Sequence, residues 1–237
     1  MNRPLRVILA LVALVVVVGA AAVIFIVATG GSGEASTEIT SESVSAANSA
    51  TIFAIVADDS EVRFVLDEDL RGVRTTVTGV TNQVAGEIAV DFSAPQNSEV
   101  GPIRINVRTL ATDNDFRNRA IRGQILRSSQ DEFEFAEFVP TAIEGLPETV
   151  TVGTPITFTV TGDFTLVGVT QPVTFELTVT PVSETRLEGT ARAVVNHNDF
   201  GITIPSVPSV ANVDEAVALE LDFVAVVATD ATETPSS

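Results

Sequence analysis

From about residue 51 to residue 228, apolar side chains in this chain recur at every second position. In the segment 87–92, Ile88, Val90 and Phe92 alternate with Glu87, Ala89 and Asp91. Ile103, Ile105 and Val107 oppose Arg104, Asn106 and Arg108. Val173, Phe175, Leu177 and Val179 oppose Thr174, Glu176, Thr178 and Thr180, and Leu219, Leu221 and Phe223 oppose Glu220 and Asp222. A period of two is that of an extended chain with successive side chains on opposite faces. One dry and one wet face is the pattern of antiparallel strands. Turn-forming stretches separate the runs: "APQNSEVGP" at 94–102, "EGLPETVTVGTP" at 144–155 and "GVTQP" at 168–172. The spacing predicts about eight strands, hence an all-β barrel or sandwich. The exception is "NDFRNRAIRGQILRS" at 114–128, where Ile121 and Ile125 at i, i+4 predict a short helix.

Within "TGDFTLVGVTQPVTFEL" (161–177), Gly162 falls on the apolar face with Phe158, Val160, Phe164 and Leu166. A glycine there either lets the strand turn a barrel corner over a solid core or leaves volume empty inside. Periodicity alone leaves both readings open.

The N-terminus sets the compartment. Residues 7–28, "VILALVALVVVVGAAAVIFIVA", are 22 uncharged and mostly apolar residues. As a helix they span about 33 Å, the thickness of a bilayer core. Arg3 and Arg6 precede the run and no Lys or Arg follows until Arg63, which places residues 1–6 in the cytoplasm and the remainder outside, in the periplasm or at the cell surface. The competing reading, a cleaved signal peptide, calls for an apolar region of about 7–15 residues; the length here favours a retained single-pass signal-anchor. Residues 29–50, rich in Gly, Ser, Thr and Ala, read as a flexible linker, residues 51–228 as one barrel domain, and residues 229–237 as a disordered tail.

Composition excludes several functions. Net charge is −18, and the 13 bases are all arginine. Such a surface repels nucleic acid, so no nucleic-acid partner is expected. The absence of Lys and Cys removes lysine Schiff bases, thiolate nucleophiles and cysteine metal sites. His197 is the only histidine, and no nucleophile elbow, P-loop or dinucleotide fingerprint is present. No catalytic residue, resident cofactor or metal is expected.

Four segments carry a family likeness. "TGDFTLVGVTQPVTFELTV" (161–179), "LATDNDFRNRAIRG" (110–123), "FEFAEFVPTAI" (133–143) and "NHNDFGI" (196–202) occur in that family's order along the chain. Together they resemble the YceI-like family of lipocalin-like, polyisoprenoid-binding proteins. Two of its histidine-bearing stretches are replaced here, by "ADDSEV" at 57–62 and "AIRGQILRSS" at 120–129. The resemblance implies a lipocalin-like antiparallel barrel that holds a long isoprenoid, such as a quinone tail, without catalysis. On that basis Gly162 is expected to leave room for the ligand.

The expected lipid-binding wall comprises Phe64, Ile88, Val90, Phe92, Ile103, Ile105, Phe158, Gly162, Phe164, Phe175 and Leu177; Phe133 and Phe135 either close one end and touch the ligand or belong to an edge segment that pins the helix. Each is also an ordinary core residue when taken singly. All 13 aromatic residues are Phe, so none brings a hydroxyl or indole N–H that a dry cavity must satisfy. Arg117, Arg119 and Arg122 form a local basic island; they either meet an oxygenated or phosphorylated headgroup or pair with neighbouring acids on a solvated helix face. A filled barrel serving as a structural, envelope-stress or adhesion domain is the alternative. The sequence leaves open whether two barrels pair as a homodimer.

Overall fold

The computed structural model describes residues 30–44, 49–205 and 209–228. Residues 1–6, the expected membrane span 7–28 and the expected tail 229–237 lie outside the described residues. Among the described residues no helix is long and apolar enough to cross a membrane.

Thirteen antiparallel strands among the described residues form one sheet: β1 (Thr51–Ile55), β2 (Glu61–Leu70), β3 (Val73–Thr81), β4 (Val84–Ala85), β5 (Glu87–Val90), β6 (Glu99–Val100), β7 (Ile103–Asn106), β8 (Phe135–Glu144), β9 (Ile156–Leu166), β10 (Val169–Ser183), β11 (Arg186–Asn196), β12 (Val210–Ala211) and β13 (Ala216–Val227). The pairings curl this sheet into a ring. β13 carries β1 along its C-terminal half (Phe53↔Val227) and β2 along its N-terminal half (Ala218↔Val65). β1 and β2 are therefore one stave, bent at the 3-10 turn Ala57–Asp59. On their far side β3 pairs β2 and β5 pairs β1, while β4, between them, pairs β7 (Val84↔Ile105). β7, β8, β9, β10, β11 and β13 then follow as neighbours and return to the start. Counting β1/β2, β3/β4/β5, β6/β7 and β12/β13 as single staves beside β8, β9, β10 and β11 gives eight, against the about eight that the alternation predicts.

The ring closes at Gly86. Ile55 N–H donates to the Gly86 carbonyl at 2.9 Å. A Cβ at this position would lie 2.3 Å from Ile103 Cδ1, so the glycine lets the Ile103 side chain pack directly on the backbone at the joint.

The predicted helix is present as Asp115–Ala120, capped by Asn114, whose side chain accepts from the Phe116 and Arg117 N–H groups. It continues as a π turn over Ile121–Ile125 and lies over the end of the barrel where β7 stops. A buried polar cluster holds the chain after it. Arg108 donates to the Ser128 carbonyl at 2.6 Å and to Asp131 at 2.8 Å, and its Nη1 sits 3.1 Å from Glu134.

Residues 30–44, expected to be part of a free linker, are laid along the outside of the barrel. Ser36 donates through its N–H to Glu134 at 2.9 Å and through its hydroxyl to the same carboxylate. Arg122 Nε donates to the Gly30 carbonyl at 2.8 Å, and Val44 N–H to Glu87 at 3.0 Å.

Candidate functional site: an apolar tunnel

Inside the ring lies a cavity of about 300 Å³, within the range of small-ligand sites. Its wall runs from Val150 and Pro181 to Ile121, Phe200 and Ile202. Pro181 pairs with Leu187 at the start of β11, and Ile202 follows its far end. The cavity thus extends along the barrel from one end to the other and is lined almost entirely by apolar atoms.

Of the residues expected on this wall, Phe64, Ile88, Val90, Ile103, Ile105, Phe158, Phe164, Phe175 and Leu177 line it. Alternation along paired strands puts them there, and the sheet's curl turns their common face inward. The helix contributes Ile121 and Ile125, the i, i+4 pair that marks it in the sequence.

Three expectations are corrected. Phe92 does not line the tunnel; it meets the Phe53 ring edge-on with centroids 6.2 Å apart. The alternation breaks one residue earlier, where the Asp91 carboxylate accepts from Ser93 N–H, Ser93 Oγ and Ala94 N–H and bends the chain. Phe135 faces outward under the Arg104 guanidinium, 3.9 Å from its ring centroid, and Phe133 lies under Arg127 at 4.1 Å. On β8 the inward positions are Ala136, Phe138 and, beyond the register shift at Pro140–Ala142, Ile143. Gly162 does not open the tunnel. A Cβ there would fall 2.7 Å from Phe138 Cζ and 2.5 Å from the Val139 carbonyl. The Phe138 ring covers the glycine and stacks edge-on against Phe175 at 5.0 Å. The backbone does bend here, since β8 shifts register between Pro140 and Ala142 opposite Gly162. Gly79 under Phe64 and Gly189 under Phe223 repeat the device, an aromatic ring filling the space of a cross-strand glycine.

The basic island divides. Arg117 lines the tunnel, with Nη2 2.9 Å from Glu68 and Nη1 2.7 Å from Asp113. Arg119 is exposed. Arg122 is buried against Gly30 and Gly33; burial, followed by the neighbouring Arg119 charge, pushes its pKa down. Arg122 therefore holds the residue 30–44 segment and does not reach the tunnel.

Sequence reasoning missed Glu68. It continues the inward series Val62, Phe64, Leu66 on β2, and all four line the tunnel. Its place in the charged run "DEDL" disguises it as turn composition. Phe200, in the 3-10 turn His197–Phe200 after β11, and Ile202, just past the turn's left-handed cap Gly201, are also on the wall, where no periodicity flags them.

The chain matches the YceI-like domain over residues 53–225. It belongs to the YceI-like domain family. A "UPF0312 protein" of Pseudomonas fluorescens strain SBW25 is 33% identical over 144 residues, covering 57% of this chain and 68% of that protein. Another, from P. fluorescens strain Pf-5, is 29% identical over 155 residues, covering 61% and 73%. Among solved structures, a polyisoprenoid binding domain from Saccharophagus degradans superposes with a TM-score of 0.57 at 16% identity, covering 74% of this chain and 98% of that one. BcnA from Burkholderia cenocepacia does so with 0.55 at 18% identity, covering 74% and 99%. These likenesses establish the YceI-like fold as a curled antiparallel β-barrel with one short helix.

Proposed function

We propose that this YceI-like domain is a non-catalytic carrier that holds an isoprenoid-like or other long-chain lipid inside its barrel. In this reading residues 7–28 anchor it in a membrane, with the barrel on the extracytoplasmic side. The observation that carries the reading is the end-to-end apolar cavity of about 300 Å³. The fold-level similarity to a polyisoprenoid binding domain supports it. Each buried CH₂ contributes about 0.8 kcal/mol before ordering costs are subtracted. A headgroup hydrogen bond to a charged side chain adds roughly 1.5–3 kcal/mol. The tail therefore carries most of the affinity and the headgroup tunes the choice.

The test compares the full chain with an A191F variant, each in phosphatidylcholine nanodiscs, extracted with organic solvent and analysed by mass spectrometry. Ala191 is on the tunnel wall, between Leu177 and Leu221, and a phenyl ring there fills the bore. A near-stoichiometric isoprenoid or long-chain lipid on the unmodified chain, lost from a folded A191F, is the expected result. Equal lipid content in both, matching empty nanodiscs, would overturn the carrier and leave a scaffold or adhesion domain.

A further inference from the structure

Building on the carrier reading, we infer that the Glu68–Arg117 pair makes the tunnel selective for lipids with an uncharged, hydrogen-bond-donating headgroup and excludes phosphorylated ones. Among the tunnel-wall carboxylates, Glu68 is the one that is buried, its side chain 8% exposed. Its Oε1 accepts from Arg117, and its second oxygen accepts no hydrogen bond among the described residues. That oxygen is an acceptor set in an apolar wall, suited to a hydroxyl or amide N–H on a ligand.

Charge balance decides against an anion. Arg117 already faces two carboxylates, Glu68 at 2.9 Å and Asp113 at 2.7 Å. Arg63, the other arginine on the wall, faces three: Glu61 at 2.8 Å, Glu220 at 3.3 Å and Asp222 at 2.7 Å. The remaining arginines of the helix segment are directed elsewhere. Arg122 is held by Gly30, Arg127 stacks on Phe133, and Arg119 is on the exposed face. Both wall arginines are thus outnumbered by carboxylates. A phosphate brought to Arg117 would lie beside Glu68 in a poorly solvated site, where like charges repel strongly. A neutral alcohol meets no such repulsion and donates to Glu68 while accepting from Arg117.

The experiment titrates the full chain, in phosphatidylcholine nanodiscs with an empty-nanodisc blank, with geranylgeraniol and with geranylgeranyl monophosphate. The unmodified chain is expected to bind the alcohol at least tenfold more tightly. Glu68→Gln should shrink that ratio to about threefold or less, mostly by improving phosphate binding. Asp113→Asn, which removes an exposed carboxylate from the same guanidinium, should shrink it less, and it serves where E68Q does not fold. Equal or tighter phosphate binding by the unmodified chain overturns the selectivity while the carrier stands. So does a ratio unchanged in whichever of the two variants folds. Binding of neither probe, in a chain that also carries no extractable lipid, overturns both.

Discussion

A methyl group added at Gly162 would lie 2.5 Å from the Val139 carbonyl and 2.7 Å from Phe138 Cζ. The backbone contact cannot be relieved by a rotamer change. Gly162→Ala should therefore destabilise the barrel by about 1–3 kcal/mol, the usual cost of overpacking. Chemical denaturation with an unchanged m-value checks this. An unaltered midpoint would mean that Phe138 and β8 move aside freely. The same residue marks where sequence reading stops. Alternation places Gly162 on the inner face correctly, but whether that space is empty depends on a ring 24 residues away on the neighbouring strand. Glu68 is the complementary case. Its alternation points inward as plainly as that of Phe64, yet the acids on either side dominate the composition of the run.

At the level of elements, two hairpins turn on residues that are both left-handed: Arg71 (φ 53°) with Gly72 (φ 82°), and Val167 (φ 53°) with Gly168 (φ 77°). Two positive φ angles match the twist of the flanking strands, and asparagine followed by glycine is the sequence best suited to them. Arg71 is exposed and its N–H donates to the Ser209 carbonyl, a bond that any non-proline residue keeps. Arg71→Asn should raise stability by roughly 1 kcal/mol, since a left-handed L-residue costs about 1–2 kcal/mol and asparagine is among those that tolerate it. Calorimetry should show Tm rising by about 2–4 °C; a fall would mean that Arg71 makes a contact worth more than its strain. The eight staves were legible because each long run keeps its period. The joints at Ala57–Asp59 and Gly86 were not, because a bend between two short strands leaves no periodic trace. The helix was legible from Ile121 and Ile125. Its continuation as a π turn depends on packing against the barrel end and has no local signature.

For the molecule as a whole, a net charge of −18 makes the placement of each buried acid consequential. Hydrogen bonds from Ser93 Oγ and Ser49 Oγ, joined by the Ala94 and Ser93 N–H groups, outweigh burial and hold the Asp91 carboxyl well below its usual range. Burial opposes ionisation of Glu134, but Ser36, Asn106 and the Arg108 charge together bring its pKa below the ordinary value. A carboxyl lowered in the folded state adds stability above its unfolded pKa of about 3.9 for Asp, and that stability is lost as pH falls towards the folded value. The Tm difference between the unmodified protein and Asp91→Asn should therefore be constant from neutral pH down to about pH 5 and close progressively below about pH 4. A gap that persists undiminished at pH 2 would show that the loop holds without the ionised carboxylate.

The docking of Gly30 against the helix has one more consequence. A Cβ on Gly30 would lie 2.6 Å from Arg119 Cβ, and its carbonyl is held by Arg122. Whatever precedes residue 30 therefore sets off next to the helix that bears Arg117. If the preceding segment is embedded in a bilayer, as proposed above, the barrel is moored at the end that bears Arg117 and Glu68. On the carrier reading, a lipid pulled from that leaflet would then have only a short climb to that end, with no need for the whole domain to roll over.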